Sequence, residues 1–147
     1  MKFFFVCLFS ILIQLKSISQ EFLSAKEKNK FKPTLFHNYS DTIDTNQGFF
    51  NLIETLNLGD KTNLPITSQL IFKGKVNILH QTSDYRTLSI ESEETPGLRL
   101  IISHTSEDKY YGIIGCVKHK DVLVLELNQK NEKYVWIKKE IADKIPD

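Results

Sequence analysis

The sequence predicts a mainly β protein, an antiparallel sandwich or small barrel of six or seven strands, with a short N-terminal helix and a short C-terminal helical turn. Three observations predict this fold. From residue 68 to residue 138, apolar and polar residues alternate with the period of a strand that buries one face. Short polar turns separate these runs at nearly even spacing. One run with a helical period precedes them.

The first residues have the layout of a secretory signal peptide, residues 1–19. Lys2 supplies a positive charge, residues 3–15 are mostly Phe, Leu, Ile and Val, and Ser17 and Ser19 stand at the −3 and −1 positions before Gln20. This apolar run is shorter than the roughly 20 residues that span a bilayer, so cleavage is favoured over an uncleaved anchor. We therefore expect export to the periplasm or the extracellular space, and no integral membrane protein after signal cleavage.

The rest of the chain is predicted to contain one domain. Residues 20–47 are polar, weakly patterned and interrupted by Pro33, which is typical of a flexible segment. Residues 48–147 are predicted to form the β-rich domain. Removal of residues 1–19 from the 147 leaves 128, enough for one modest core.

A short helix is predicted at the start of this domain. Phe49, Leu52, Ile53 and Leu56 follow the spacing i, i+3, i+4 and i+7, which places them on one helical face. Gly59 follows as a glycine beyond the helix end would. We expect this helix to cover an open end or face of the sheet.

The strands follow in order along the chain. Within the run LRLIISH, Leu100 and Ile102 are expected to point inward and Arg99 and Ile101 to the other face. The turn ETPG has Pro96 and Gly97 at its end, suited to the central positions of a type II turn. The segment KHKD is a second predicted turn, and KEIADKI is the predicted helical turn at the C-terminal end. The predicted strands are QLIFKG, KVNILH, YRTLSIES, LRLIISH, YYGIIGCV, VLVLELN and KYVWIKK.

Charge and cysteine content exclude several classes of protein. Removal of the signal peptide takes Lys2 and Lys16 from the 19 basic residues, which leaves 17 against 18 acidic ones and a net charge of −1. Nucleic acid is therefore not expected as a partner, because phosphate binding needs a basic excess on one face. Only Cys116 remains after the loss of Cys7, so an intrachain disulfide is impossible and the core must stabilise the fold.

The sequence contains no recognisable catalytic or metal-binding motif, and we predict a non-enzymatic protein without cofactor or metal. Cys116 and His119 are three residues apart, a spacing at which strand side chains face opposite ways. We expect Cys116 to be a buried strand residue and His119 to lie in the turn. The histidines are not spaced as metal ligands on one helix or hairpin, and neither HExxH nor CxxC is present. An enzyme that uses Cys116 or a histidine cluster is kept as a further hypothesis, after the two binding functions given below.

Aromatic residues supply the candidate partner-binding site. Exposed aromatic rings on a sheet are good contacts for a ligand or a protein. Tyr134 and Trp136 share one strand face, while Val135 and Ile137 share the other. The alternative is that the aromatic rings fill the core and the side covered by the helix. The candidate residues are Tyr110, Tyr111, Tyr134, Trp136 and Arg99.

The β-region also carries a family resemblance. The runs LIFKGKV, RTLSIES, PGLRLIISH, YYGII, KDVLVLEL and YVWIKKEI, within residues 68–145, resemble a small β-domain of secreted Bacteroidota-type proteins. A composition rich in Ile, Lys, Asn and Phe fits such a source. The resemblance implies a propeptide-like or accessory role beside an enzymatic domain, and it implies no catalytic residue.

The function that these observations favour is a secreted, non-enzymatic β-domain that binds a protein or glycan partner. The alternative is a small β-barrel that carries an apolar ligand in its interior, with the helix at residues 49–56 as a lid. A carrier requires an apolar cavity of several hundred Å3 inside the barrel. A partner-binding module instead requires a filled core and an exposed apolar patch.

Overall fold

Eight strands and one helix make up residues 32–141, the part of the chain that the computed structural model describes. Residues Pro33–Ile141 of this part belong to one unit. The helix α1 spans Phe49–Thr55. The strands are β1 Thr42–Asp44, β2 Lys61–Pro65, β3 Ile71–Gln81, β4 Tyr85–Ser92, β5 Arg99–Thr105, β6 Tyr110–Gly115, β7 Asp121–Asn128 and β8 Lys133–Glu140.

The strands form a single sheet in the order β1-β8-β7-β6-β5-β4-β3-β2, and every neighbouring pair is antiparallel. This sheet curls into a half-barrel, so the prediction of a mainly β fold with one short helix is confirmed. Consecutive strands from β2 to β8 are neighbours because short connections favour hairpins. The concave face of the half-barrel is the face on which α1 packs.

The strand number differs from the prediction for identifiable reasons. The two predicted runs QLIFKG and KVNILH are one strand, β3, in which a register shift lies between Val76 and Ile78. A bulge of this kind lets one strand bend without breaking its pairing. Strand β2 was missed because Pro65 suggested a break, but proline is tolerated at the end of an edge strand. Strand β1 lies in the segment that was expected to be flexible.

The core fills the concave face. Leu100 and Ile102 are 0% and 1% exposed, as their inward positions in the sequence pattern predicted. Helix α1 closes this face with Phe49 and Ile53, both buried. Gly112 makes room for Trp136, because a Cβ atom there would lie 3.1 Å from the Cη2 atom of Trp136.

Residues 33–47 are part of the folded unit, whereas residues 20–47 were predicted to be flexible; residues 20–31 lie outside the described range. Phe36 is buried in the core. The backbone N–H groups of Leu35 and Phe36 donate to the two carboxylate oxygens of Asp121, at 2.6 and 2.7 Å. Asp121 is itself 2% exposed and begins β7. A carboxylate buried in this way is compatible with folding because it accepts hydrogen bonds.

One predicted turn is present in the structure, whereas the predicted C-terminal helical turn begins as strand. The ETPG turn is confirmed, since Gly97 has φ of 81° and the Leu98 N–H donates to the Thr95 carbonyl at 3.1 Å. Lys139 and Glu140, predicted to begin a helical turn, instead complete β8. Ile141 directly follows β8, and residues 142–145 of that turn, like the predicted signal peptide, lie outside the described residues. Within residues 32–141, no helix has the length and apolar character needed to cross a membrane.

Candidate partner-binding surface

An apolar row crosses the outer, convex face of the sheet. Ile101 of β5 pairs with Ile113 of β6, Ile113 with Val124 of β7, and Val124 with Ile137 of β8. The row faces away from the core because each member alternates with inward residues such as Leu100 and Ile102. Ile101 and Ile113 remain 41% and 40% exposed. We call these four residues the outer row.

A groove of about 440 Å3 opens at one end of the outer row. We call it the outer groove; it is lined by Gly97, Arg99, Ile101, Ile113, Val117 and Ile141, among others. Val117, in the turn between β6 and β7, is 82% exposed, and Ile141, which follows β8, is 42% exposed. Exposed aliphatic side chains that cluster in this way are typical of an interaction surface.

Arg99 is the charged side chain among the residues that line the outer groove. It pairs across the strands with Glu91 on one side and Gly115 on the other. Its Nη2 atom lies 4.0 Å from the Glu91 Oε1 atom, and both side chains are about half exposed. An exposed pair at this distance contributes little to stability, so the guanidinium group has donors free for another contact.

Tyr111 extends the same face beyond the outer row. It precedes Ile113 by two residues on β6, so both side chains point outward, and it is 57% exposed. Tyr111 is thus the predicted aromatic contact that the structure exposes, and Arg99 is the predicted charged contact.

The other three predicted contacts lie on the concave face. Trp136 is fully buried against Phe49, with ring centroids 5.9 Å apart, so the prediction that it contacts a partner is wrong. Tyr110 and Tyr134 are partly buried and pack with Phe50 of α1, at 4.2 and 5.2 Å between centroids. The physical reason is that α1 covers the face on which these rings lie.

Cys116 and His119 do not assemble a site. Cys116 is 4% exposed and directly follows β6, and its Sγ atom lies 3.9 Å from the Pro96 carbonyl oxygen. The backbone N–H of His119 donates to the Cys116 carbonyl at 3.0 Å, which closes a turn. Cys116 is buried as expected, although it lies just beyond the strand instead of in it. Among residues 32–141, no three His, Cys, Asp or Glu side chains are grouped as metal ligands.

A polar cluster between α1 and the sheet was missed by the sequence analysis. The His104 imidazole lies 3.0 Å from Glu54 through Nδ1 and 3.0 Å from Asp108 through Nε2. It stacks on Tyr110 with centroids 4.2 Å apart, and the Tyr110 hydroxyl donates to Glu54 at 3.2 Å. Burial and the Glu54 carboxylate raise the pKa of Tyr110 above its ordinary range. The short TSEDK loop could have predicted part of this cluster, because a tight hairpin between β5 and β6 places His104 opposite Tyr110.

No family model matches the chain, and no curated protein or solved structure matches it either. The site is therefore described by its own geometry: an outward apolar surface beside a groove, bordered by one arginine and one tyrosine.

Proposed function

We propose that the protein is an exported, non-enzymatic binding module whose outer groove and outer row hold an apolar segment of a protein partner. The observation that carries the proposal is the exposure of Ile101 and Ile113, side by side on adjacent strands and next to a 440 Å3 groove. Covering such side chains releases water from apolar surface, which is the main driving force of protein association. The signal-peptide layout supports a role in the periplasm or outside the cell.

The chemistry of the surface favours a protein over a glycan. Binding of a sugar ring would call for several aromatic rings that stack on it, as aromatic side chains do with flat partners. Tyr111 is one exposed ring beside aliphatic side chains. Aliphatic side chains such as Ile113 and Val117 instead complement the apolar core of a protein interface. A short acidic group on the partner segment would suit Arg99.

The concave face gives less support to a carrier of apolar ligands. Large side chains including Trp136, Leu123 and Phe49 occupy the space between the sheet and α1, each fully buried. A carrier would need that space for its ligand. Cys116 is buried, and its hydrogen bond to His119 joins backbone atoms and leaves both side chains out. Because a catalytic thiol needs to be accessible and activated, this favours a binding role over thiol catalysis.

The test is selection of displayed peptides on the purified protein, followed by affinity measurement with two variants of the surface. Ile113→Asp and Tyr111→Ser should each weaken the selected peptides by at least about tenfold, because a partner side chain would lose its apolar contact. Ile78→Asp is the matched control, since Ile78 is 52% exposed on β3 and is not among the residues lining the groove. Circular dichroism checks that each variant is folded.

Two outcomes would overturn the proposal. Peptides that bind all variants equally would place recognition elsewhere on the protein. Binding to a glycan array that Tyr111→Ser abolishes and Ile113→Asp spares would assign the surface to a sugar.

A further inference from the structure

Arg99 differs from Arg86, the other arginine of the chain, in how its guanidinium group is used. Both Nη atoms of Arg86 donate to main-chain carbonyls at the C-terminal end of α1. Within residues 32–141, no group accepts a hydrogen bond from Arg99, and its contact with Glu91 spans 4.0 Å. One oxygen of Glu91 already accepts a hydrogen bond from the Asn77 amide at 3.2 Å. Arg99 therefore keeps its donors for a ligand.

The fold leaves open space beside the Arg99 side chain. Its cross-strand neighbour on β6 is Gly115, which has no side chain. A Cβ atom at Gly115 would lie 2.6 Å from the Cγ1 atom of Val122, because the Val122 side chain occupies that space. Arg99, Gly115 and Val122 all line the outer groove. The guanidinium group therefore stands at the edge of an apolar floor.

The charges around the outer groove favour a carboxylate. Lys118, exposed in the turn next to Val117, adds a second positive charge near Arg99, whereas Lys139 on β8 is paired with Glu126. A planar guanidinium group matches the two oxygens of a carboxylate, whereas phosphate groups are generally bound by clusters of arginines. One arginine beside aliphatic side chains therefore suits a ligand that carries one carboxylate next to apolar groups.

The positions of the lining residues set the spacing of those groups. Arg99 and Ile101 are two residues apart on β5, so their side chains leave the outer face about 7 Å apart. Ile113 lies opposite Ile101 on β6. An extended peptide repeats its side chains on one face at the same spacing, so an acidic residue two positions from an apolar one would match both contacts. A free C-terminal carboxylate beyond an apolar residue brings the same two groups to a similar distance.

We propose that Arg99 determines the specificity of the outer groove by selecting an extended peptide in which a carboxylate lies about one two-residue step from an apolar side chain. The inference rests on the proposed function, which gives the same groove an apolar segment of a protein. The carboxylate binds the guanidinium group, and the apolar side chain covers Ile101 and Ile113. The carboxylate comes from an acidic side chain or from the end of the partner chain, since both present the same chemistry.

The test uses three short synthetic peptides with the same body of alternating isoleucine and serine, titrated into the isotope-labelled protein and followed by NMR. The first ends in a free carboxylate, the second in an amide, and the third in an amide with an aspartate two positions after its last isoleucine. The amide signals of residues 99–101 and 113–117 should shift. The first peptide, the third or both should bind about twofold to fivefold more tightly than the second, the range for one half-exposed ion pair.

Variants of the protein separate the role of Arg99 from a general effect of charge. Arg99→Gln should bind the three peptides with similar affinity. Arg99→Lys should retain a smaller preference, because lysine keeps the charge without the planar fork. Lys130→Gln, which removes one positive charge in the turn between β7 and β8, is the matched control and should retain the full preference.

The outcomes distinguish this inference from the proposed function. Equal binding of the three peptides at residues 99–101 and 113–117, or a carboxylate preference that survives in Arg99→Gln, would overturn the role of Arg99 and leave the proposed function in place. Absence of any shift at these residues with all three peptides would overturn both. Dimerisation of the wild type that Ile113→Asp abolishes would assign the groove to a second copy of the chain and would also overturn both.

Discussion

Replacing Asp121 with asparagine should destabilise the protein strongly, although the two side chains have nearly the same shape. The Asp121 carboxylate accepts the backbone N–H groups of Leu35 and Phe36 at 2.6 and 2.7 Å. An asparagine side chain has one oxygen, and its NH2 group would face the other N–H. At least one hydrogen bond is therefore lost and one backbone donor near the core is left without an acceptor.

The size of the effect follows from this loss. Hydrogen bonds to a charged group contribute about 1.5–3 kcal/mol each, and an unpaired buried donor costs about 1–3 kcal/mol. We expect Asp121→Asn to lower the free energy of unfolding by about 2–4 kcal/mol. This is a large share of the roughly 5–15 kcal/mol that stabilises an ordinary domain.

Urea unfolding followed by Trp136 fluorescence measures this free energy. The matched control is Asp84→Asn, which makes the same change at an exposed loop position and should alter stability by no more than about 0.5 kcal/mol. Limited proteolysis should also cut residues 33–41 faster in Asp121→Asn, because that segment loses its attachment. Stability of Asp121→Asn within about 0.5 kcal/mol of the wild type would refute the reasoning.

Two further predictions concern buried or partly buried reactive groups. In a Cys7→Ser background, Cys116 should react with a small alkylating reagent at least about tenfold faster after denaturation than in the native protein, because it is 4% exposed; equal rates would contradict its burial. At alkaline pH, unfolded Tyr110 loses its proton near its ordinary pKa of about 10, whereas burial and Glu54 keep the folded side chain protonated. The free energy of unfolding should therefore fall as pH rises past about 10. Measured by urea unfolding at about pH 9 and about pH 11, this fall should be smaller in Tyr110→Phe than in the wild type. An equal fall in both proteins would count against the raised pKa of Tyr110.

Local patterns predicted much of the domain because they are governed by interactions between near neighbours. The helix over Phe49–Thr55 followed from the spacing of its apolar residues. The turn at Gly97 followed from the need for positive φ at one position. Strands β1 and β2 were missed because their short sequences carry little strand pattern of their own. Their extended conformation is stabilised by hydrogen bonds to the neighbouring strands β8 and β3.

The candidate site was predicted only in part. Tyr111 and Arg99 are exposed on the outer face, but Trp136 belongs to the core. The aliphatic members of the surface, Ile101 and Ile113, were assigned to strands without a role. Strand alternation placed Ile101 on the face opposite Leu100 and Ile102, but it did not show whether that face would be covered or exposed.

By itself, the sequence determined that this chain folds as antiparallel strands with one covering helix, because alternation and turn chemistry act over a few residues. Only the tertiary structure decided that the helix covers one face of the sheet and leaves the other face open. Both faces carry apolar side chains: Leu100 and Ile102 on one, Ile101 and Ile113 on the other. One short helix can cover one face, and α1 packs on the side of Trp136. The opposite face therefore leaves Ile101 and Ile113 partly exposed to solvent.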